Sequence, residues 1–189
     1  MMNMEKPNLV GEKIILRPIT ADDAAGMFAT LSDEEGMRFT GTQATFTFEQ
    51  VEAFCKKVSA ADDRADYAIT LKDDPESKYI GEVVLNEIDD ENRLANFRIV
   101  MQGKSYFGKG YGSEATRLII GYGFETLKLH RIELEVYDFN PRAQHVYEKA
   151  GFVKEGVKRD VLMWDGKYQS AIVMSILEDE WRATRFFIC

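Results

Sequence analysis

The feature that most constrains the fold of this chain is a glycine-rich turn between a strand pattern and a helix pattern. Glycines alternate with other residues through Gly108-Lys109-Gly110-Tyr111-Gly112. Ala95–Met101, before the turn, is strand-like, whereas Tyr111–Leu127, after it, repeats apolar residues with helical spacing. Arg131–Tyr137 then returns to the alternation of a strand. A strand, a helix and a strand in this order predict a crossover connection between two parallel strands.

The segments upstream of this crossover predict two helices and an antiparallel meander. Lys13–Arg17 is predicted as a first strand, Thr20 as the cap of a first helix, and Thr47 as the start of a second helix with a Thr-x-x-Gln capping box. Charged turns then separate three strand-like runs: Tyr67–Leu71, Tyr79–Asn86 and Ala95–Met101.

Downstream of the crossover, the sequence predicts one more helix and a hairpin. Asn140 is a good N-cap before Pro141, and Gly151 ends the helix. Two strands joined by an Asp-Gly turn follow: Val157–Met163 and Tyr168–Ile176. The predicted fold is therefore of the α/β (α+β) class, a single domain over residues 1–189 with a mixed central sheet. In that sheet an antiparallel N-terminal meander precedes the parallel strand-helix-strand crossover.

Charge and cysteine content limit the partners and the compartment. The chain has 32 acidic and 24 basic residues, a net charge of −8, so nucleic acid and membrane partners are not expected and amines are attracted, although solubility alone explains the charge as well. Cys55 lies on an apolar helical stripe and Cys189 ends the chain, which predicts free thiols in a reducing cytoplasm. His130 and His145 lack the partners of a triad or a metal site, so no metal is expected.

The glycine-rich turn has the composition of a phosphate-binding loop. Glycine allows positive φ angles and a close backbone approach, so successive N–H groups can converge on a diphosphate at the positive end of the helix dipole. Neither a Walker A loop nor the Gly-x-Gly-x-x-Gly spacing of dinucleotide-binding domains is present. A glycine-rich turn without a ligand is the alternative interpretation.

Two spaced motifs resemble the GNAT superfamily of acetyltransferases. Phe107–Gly112 is similar to its [Arg/Gln]-x-x-Gly-x-[Gly/Ala] signature, and Asn140–Phe152 is similar to a segment of the ribosomal-protein and spermidine N-acetyltransferase branch. The resemblance covers nearly the whole chain. It implies an N-acetyltransferase fold that uses acetyl-CoA and releases coenzyme A. It also implies direct attack by a small-molecule or peptide amine, and a homodimer.

By this resemblance, the strand before the glycine-rich turn has a bulge within Arg98–Met101. The bulge would separate this strand from the next parallel strand, admit the pantetheine arm and offer a backbone N–H to the thioester carbonyl. Cofactor-binding residues are therefore expected on this strand, on the turn and on the helix after Asn140: Ile99, Val100, Met101, Phe107, Gly108, Lys109, Gly110, Tyr111, Gly112, Ser113, Asn140, Ala143 and Tyr147. Phe107 departs from the signature, but a backbone cradle does not depend on its side chain.

Tyr147 and Glu82 are the candidate catalytic residues. The Tyr147 phenol can protonate the departing thiolate, although Tyr147 also falls on the apolar stripe of its helix, where a core tyrosine is the alternative. Glu82 is the candidate base, with Glu135 and a water chain behind it, because Asn96 stands where relatives often have a glutamate. An exposed strand charge is the alternative interpretation of Glu82.

The acceptor and two rival functions stay open at this point. Leu31–Arg38, predicted to join the first two helices, is acidic, which suits a polyamine or a basic peptide N-terminus and equally a solvated loop. The main rival function is a non-catalytic acyl-CoA-binding or regulatory module. The third hypothesis is a dimeric interaction protein that uses the aromatic tail Trp181–Phe187.

Overall fold

The computed structural model describes residues 4–186, with side chains through Thr184. Eight strands lie in this part of the chain: β1 (Leu9–Val10), β2 (Ile14–Pro18), β3 (Ala65–Leu71), β4 (Gly81–Asp89), β5 (Leu94–Met101), β6 (Arg131–Tyr137), β7 (Val153–Trp164) and β8 (Lys167–Leu177). The α-helices are α1 (Ala24–Leu31), α2 (Glu34–Thr40), α3 (Phe48–Ser59), α4 (Tyr111–Glu125), α5 (Pro141–Ala150) and α6 (Glu178–Phe186).

The strands form one mixed sheet in the order β1-β2-β3-β4-β5-β6-β8-β7. Neighbouring strands are antiparallel from β1 to β5. β5 and β6 are parallel, and α4 connects them. The predicted fold class, with its antiparallel meander followed by a parallel crossover, is confirmed.

Helices cover both faces of this sheet. Along β3, Tyr67 and Ile69 belong to the larger core cluster, which includes Ile119 of α4, whereas Ala68 belongs to a second cluster with Cys55 of α3. Successive side chains of a strand point to opposite faces. α4 therefore packs on one face of the sheet, and α1 and α3 pack on the other.

Two helices were not predicted, the short α2 and the C-terminal α6. The segment Leu31–Arg38, expected to be a connection, contains most of α2. The Asp33 side chain accepts a hydrogen bond from Gly36 N at 3.0 Å, and Gly41 ends the helix with a left-handed backbone. Both capping signals are in the sequence, but a helix of 7 residues is too short to show a periodic apolar stripe.

The C-terminal aromatic tail is also different from the expectation. Trp181 lies in α6, only 8% exposed, and packs on Phe124 with ring centroids 5.2 Å apart. Trp181 is thus a core residue and offers no exposed aromatic surface. Phe187 lies outside the described residues.

The other predicted elements differ from the structure mainly at their ends. The largest difference is β7, which begins at Val153 rather than Val157. Register shifts within this exposed strand, at Lys154/Gly156 and Lys158/Leu162, interrupt the alternation that defines a strand in sequence.

One of the two cysteines lies within the described residues. Cys55 is a free, buried cysteine with its Sγ 3.8 Å from Met27 Sδ, and burial raises the pKa of its thiol to about 11. Cys189 lies outside the described residues, so two free thiols stay a prediction. Between residues 4 and 186, no helix is long and apolar enough to cross a bilayer.

Candidate active site

The parallel strands β5 and β6 are paired over a short stretch, and a cleft lies between them where the pairing ends. The strands pair only along Leu94–Asn96 of β5. Beyond these residues β5 stays paired with β4 up to Met101, and β6 stays paired with β8 up to Tyr137. The facing edges therefore have backbone groups without sheet partners, and a cleft of about 640 Å³ lies between them.

A bulge within Arg98–Met101 is not found, and that expectation is wrong. β5 pairs with β4 residue by residue from Asn96 to Met101. The register shift lies between Asn86 and Asp89 of β4, opposite the start of β5. The cleft therefore arises from the early end of the β5–β6 pairing.

The glycine-rich turn presents free backbone N–H groups to this cleft. Gly108 (φ 73°) and Gly110 (φ 85°) have left-handed backbones, which glycine adopts without strain. Gly110 is the N-cap of α4 and has no side chain to cap it, so the first-turn N–H groups have no capping partner. A Cβ on Gly108 would meet no atom within 4 Å, and one on Gly110 would meet only Lys13 Nζ at 3.8 Å. The open space in front of this turn fits an anion such as a diphosphate.

Most of the predicted cofactor-binding residues come together around the cleft. Those that line it are the following: Ile99, Val100, Met101, Phe107, Gly108, Gly110, Tyr111, Gly112, Ser113, Asn140, Ala143 and Tyr147. Lys109 is not among the lining residues, and its carbonyl oxygen accepts a hydrogen bond from Lys13 Nζ at 3.4 Å.

Two of these residues have structural contacts of their own. Asn140 Oδ1 accepts a hydrogen bond from Ala143 N at 3.2 Å and so caps α5, as predicted. Tyr147 is buried between the rings of Phe97 and Phe152, with centroids 5.6 Å and 6.0 Å away. Burial raises the pKa of its phenol, which stays protonated at neutral pH. Among residues 4–186 the Tyr147 hydroxyl makes no hydrogen bond, and Tyr147 lines the cleft.

Glu82 lies on the other face of the sheet, in a small cavity of about 70 Å³. Its Oε2 atom is sealed from solvent and has no partner within the described part of the chain. Burial, and secondly the charge of Asp66, raise the pKa of this carboxyl to about 7, against the opposing effects of Arg98 and Arg64. An exposed strand charge therefore does not describe Glu82.

The small cavity and the cleft meet across β5. Arg98, Ile99 and Val100 line both of them, together with Gly36 and Thr40 of α2. Glu135, predicted to stand behind Glu82, lines the large cleft and forms an ion pair with Lys158. The two carboxylates thus line different cavities, Glu82 the small cavity and Glu135 the cleft.

Several known proteins are similar to this chain in sequence and in fold. The family profile described as an acetyltransferase (GNAT) domain matches residues 13–153. Spermidine N(1)-acetyltransferase of Vibrio cholerae is 36% identical over 109 residues, which are 58% of this chain and 62% of the relative. The enzyme of that name from Escherichia coli K12 is 30% identical over 172 residues, 89% of this chain and 88% of the relative. The chain belongs to the GNAT acetyltransferase family.

A solved structure extends this similarity to three dimensions. The crystal structure of spermidine N-acetyltransferase from Vibrio cholerae in complex with CoA and spermine has a TM-score of 0.82 at 27% identity. It matches 89% of this chain and 98% of that chain. As a GNAT acetyltransferase, the chain is an enzyme that transfers acetyl groups to amines, which favours catalysis over a non-catalytic acyl-CoA-binding module.

In this GNAT acetyltransferase, an arginine from another helix stands beside the residue that departs from the signature. The Arg142 guanidinium of α5 lies over the Phe107 ring, 3.9 Å from its centroid. Both side chains line the cleft. Arg142 thus places a positive charge beside Phe107, a contact that only the folded chain reveals.

Glu114 is a further residue that the sequence interpretation missed. It is buried in the first turn of α4, and its Oε1 atom accepts hydrogen bonds from the backbone N–H groups of Glu12 and Lys13. A Cβ on Gly11 would collide with this carboxylate. Glu114 thereby fixes the turn between β1 and β2 against the start of α4.

Aromatic rings form a wall on the α2 side of the cleft. The rings of Tyr137 and Phe139 stack at 5.3 Å, and Phe39 stacks on Phe139 at 6.4 Å. The Arg38 guanidinium lies over the Phe139 ring at 4.9 Å. Phe39 and Tyr137 line the cleft.

No group of three or more His, Cys, Asp or Glu side chains that could hold a metal ion occurs among residues 4–186.

Proposed function

We propose that residues 1–189 form one N-acetyltransferase domain that acetylates a primary amine with acetyl-CoA in the cleft between β5 and β6. When bound, acetyl-CoA supplies an activated thioester with the coenzyme A thiolate as leaving group. One observation carries this proposal: the uncapped glycine turn at the start of α4 opens into the cleft between the two strands. It combines an anion site with a channel through the sheet.

Different groups of the chain would bind different parts of acetyl-CoA. The N–H groups of residues 108–113 would hold the pyrophosphate, with Arg142 beside them. The unpaired edge of β5 at Ile99–Met101 would donate to the pantetheine arm and the thioester carbonyl. Asn140 uses its Oδ1 atom as a helix cap, which leaves its NH₂ group to donate to the pantetheine.

Two side chains would move the protons. Glu82 accepts a proton from the acceptor's ammonium group, because its carboxyl has a pKa of about 7 and an unpartnered oxygen. The freed amine attacks the thioester carbonyl, and the new C–N bond forms as the C–S bond breaks. The acetylated nitrogen then loses its second proton to solvent, which leaves a neutral amide. Tyr147 donates its phenolic proton to the departing sulfur, since it lines the cleft and its hydroxyl makes no hydrogen bond within the described chain.

The acceptor side of the cleft lies under α2. Asp33 and Glu34 at the start of α2 give this side a negative potential, which attracts ammonium groups, whereas Glu35 is paired with Lys104. The named relatives are spermidine N-acetyltransferases. We therefore propose a small-molecule amine as acceptor, in a class that includes polyamines and other primary amines.

Gly110→Val is expected to weaken acetyl-CoA binding by about 100-fold or more, because it removes charge-assisted hydrogen bonds from the first turn of α4. Valine disfavours the left-handed backbone of Gly110, and its branched side chain fills the approach to the turn. Isothermal titration calorimetry with acetyl-CoA measures the effect.

Gly166→Val is the matched control for backbone strain. Gly166 also has a positive φ, 73°, and open space around a Cβ, but it lies in the turn between β7 and β8. It should lose comparable stability and keep its affinity for acetyl-CoA. Wild-type affinity in a folded Gly110→Val protein would contradict the assignment of the pyrophosphate to this turn.

We also propose that two copies of the chain pair through β7. This outer strand of the sheet exposes apolar side chains, among them Val153 (52%) and Val157 (49%). Unprotected apolar edge strands tend to pair with another chain, and a twofold axis gives both copies the same contact.

Light scattering is expected to give about twice the monomer mass of 21.6 kDa at micromolar concentration. Val157→Lys should shift the mass to that of the monomer. Val10→Lys, at a similarly exposed valine on the opposite edge strand β1, should not. A monomer mass for the wild-type protein would refute the dimer.

A further inference from the structure

Arg98 is an unpaired arginine at the junction of the two cavities. It is exposed on β5 and lines both the cleft and the small cavity around Glu82. Within residues 4–186 its guanidinium makes no hydrogen bond and no ion pair. The other two arginines that line these cavities are engaged, since Arg64 bonds to Asp66 and Arg142 lies over Phe107. Arg98 therefore has five donors available for an anion.

Arg98 does not face the pyrophosphate site at the start of α4, so the anion it binds would belong to a ligand other than the cofactor. Phe97 and Ile99 pack in the core cluster beneath α4. Side chains alternate along a strand, so Arg98 points to the opposite face, towards α2 and away from the start of α4. This is the face on which the acceptor would bind.

Glu82 and Arg98 are diagonal neighbours on this face. In the register of β4 and β5, Glu82 is opposite Val100 and Arg98 is opposite Val84. Diagonal side chains of an antiparallel pair have Cβ atoms roughly 7–8 Å apart. The two charged groups share the small cavity, and no ion pair joins them in the described chain. A carboxylate and a guanidinium thus stand side by side, each without a partner.

We infer that the acetyl acceptor is a free α-amino acid, whose ammonium group meets Glu82 and whose carboxylate meets Arg98. This inference rests on acetyl transfer in the β5–β6 cleft as proposed above. The guanidinium binds a carboxylate through two parallel hydrogen bonds, and the adjacent ammonium is then directed to the base. Proton transfer to Glu82 and attack on the thioester give an N-acetylamino acid and coenzyme A.

Other amine classes do not match this pair of charges. A polyamine has no anion for Arg98, and a peptide N-terminus has an amide in place of the neighbouring carboxylate. Asn96, on the same face two residues before Arg98, is neutral where the family resemblance predicts a carboxylate. Arg98 is therefore the positively charged side chain beside the base Glu82 on the acceptor face.

The test compares acceptors that differ only in the carboxylate. Full-length protein with acetyl-CoA is assayed for thiol release with phenylalanine, phenylalaninamide and phenethylamine, and with lysine and cadaverine. The expected kcat/KM is at least about 10-fold higher for an amino acid than for its decarboxylated amine, the scale of one charge-assisted interaction. In Arg98→Gln this ratio should collapse towards unity, mainly through KM, and Arg98→Lys should restore part of it.

Arg117→Gln, at an exposed arginine of α4, is the matched control and should keep the wild-type ratio. Decarboxylated amines preferred over amino acids by the wild-type protein would overturn the inference while leaving acetyl transfer in place. An unchanged ratio in Arg98→Gln would overturn it as well. If neither class of acceptor releases thiol, both this inference and the proposed function fail.

Discussion

Replacing Glu82 by glutamine is expected to lower kcat for acetyl transfer about 10²- to 10⁴-fold, the range supplied by one positioned general base. The carboxyl of the wild-type protein has a pKa of about 7, raised first by burial and then by Asp66 and Asp23, and lowered by Arg98 and Arg64. Below this pKa the group is protonated and cannot accept a proton. The wild-type rate should therefore rise with pH through about 7, and this rise should be absent in Glu82→Gln.

The same substitution is expected to stabilise the fold. The pKa of Glu82 in the folded protein lies above the ordinary value of 4.5, so the folded state favours the protonated carboxyl. This contribution to stability is fully present below pH 4.5 and is lost as the pH rises through about 7, where the buried carboxyl ionises. Glutamine is neutral at every pH. At about pH 8, Glu82→Gln should therefore raise the free energy of unfolding by about 1–3 kcal/mol, measured by urea denaturation.

Glu135→Gln is the matched control for this pair of measurements. Glu135 lines the cleft, but Lys158 already neutralises it. Its replacement is expected to change kcat by less than about 3-fold, as for a surface ion pair. A large loss of rate in Glu135→Gln together with normal turnover in Glu82→Gln would transfer the role of base to Glu135.

Replacing Tyr147 by phenylalanine is the second large effect, with kcat expected to fall roughly 10- to 10³-fold on loss of one positioned proton donor. Folding and acetyl-CoA affinity should barely change, because the hydroxyl makes no hydrogen bond within the described residues and phenylalanine keeps the ring between Phe97 and Phe152. The rate is measured by quenched single-turnover assays, in which chemistry rather than product release limits the signal.

Tyr122→Phe is expected to show the opposite pattern. Its hydroxyl donates a hydrogen bond to Glu5 O at 2.7 Å, and Tyr122 does not line the cleft. Loss of this bond should cost about 1 kcal/mol of stability and leave kcat unchanged. Wild-type single-turnover rates in Tyr147→Phe would remove this residue from the mechanism and leave only its packing role.

The periodicity of apolar residues in the sequence predicts those strands and helices that bury a regular stripe of apolar side chains. The meander and the crossover follow from the alternation in Ala95–Met101 and Arg131–Tyr137 and from the helical spacing in Tyr111–Leu127. The two-residue strand β1 and the short helix α2 lack such a stripe. Trp181 illustrates a different limit, because the partner that buries it, Phe124, is distant in sequence.

The sequence likewise predicts some parts of the candidate site and not others. The glycine turn is visible in sequence because a backbone requirement, positive φ at Gly108 and Gly110, leaves a compositional trace. The cleft itself depends on where β5 and β6 stop pairing, and no residue type marks that point. The contact of Arg142 with Phe107 and the unpaired state of Arg98 depend on which side chains the fold brings together.

Amine-dependent thiol release tests the central claim most directly, namely that this GNAT acetyltransferase transfers an acetyl group in the β5–β6 cleft. The purified chain is mixed with acetyl-CoA and a panel of amines and amino acids, and free coenzyme A is counted against the N-acetylated product by mass spectrometry. One thiol released for each molecule acetylated, with turnover lost in Gly110→Val, is the predicted result. Acetyl-CoA that binds tightly but is returned unchanged with every acceptor would contradict the account and identify a non-catalytic acyl-CoA-binding module instead.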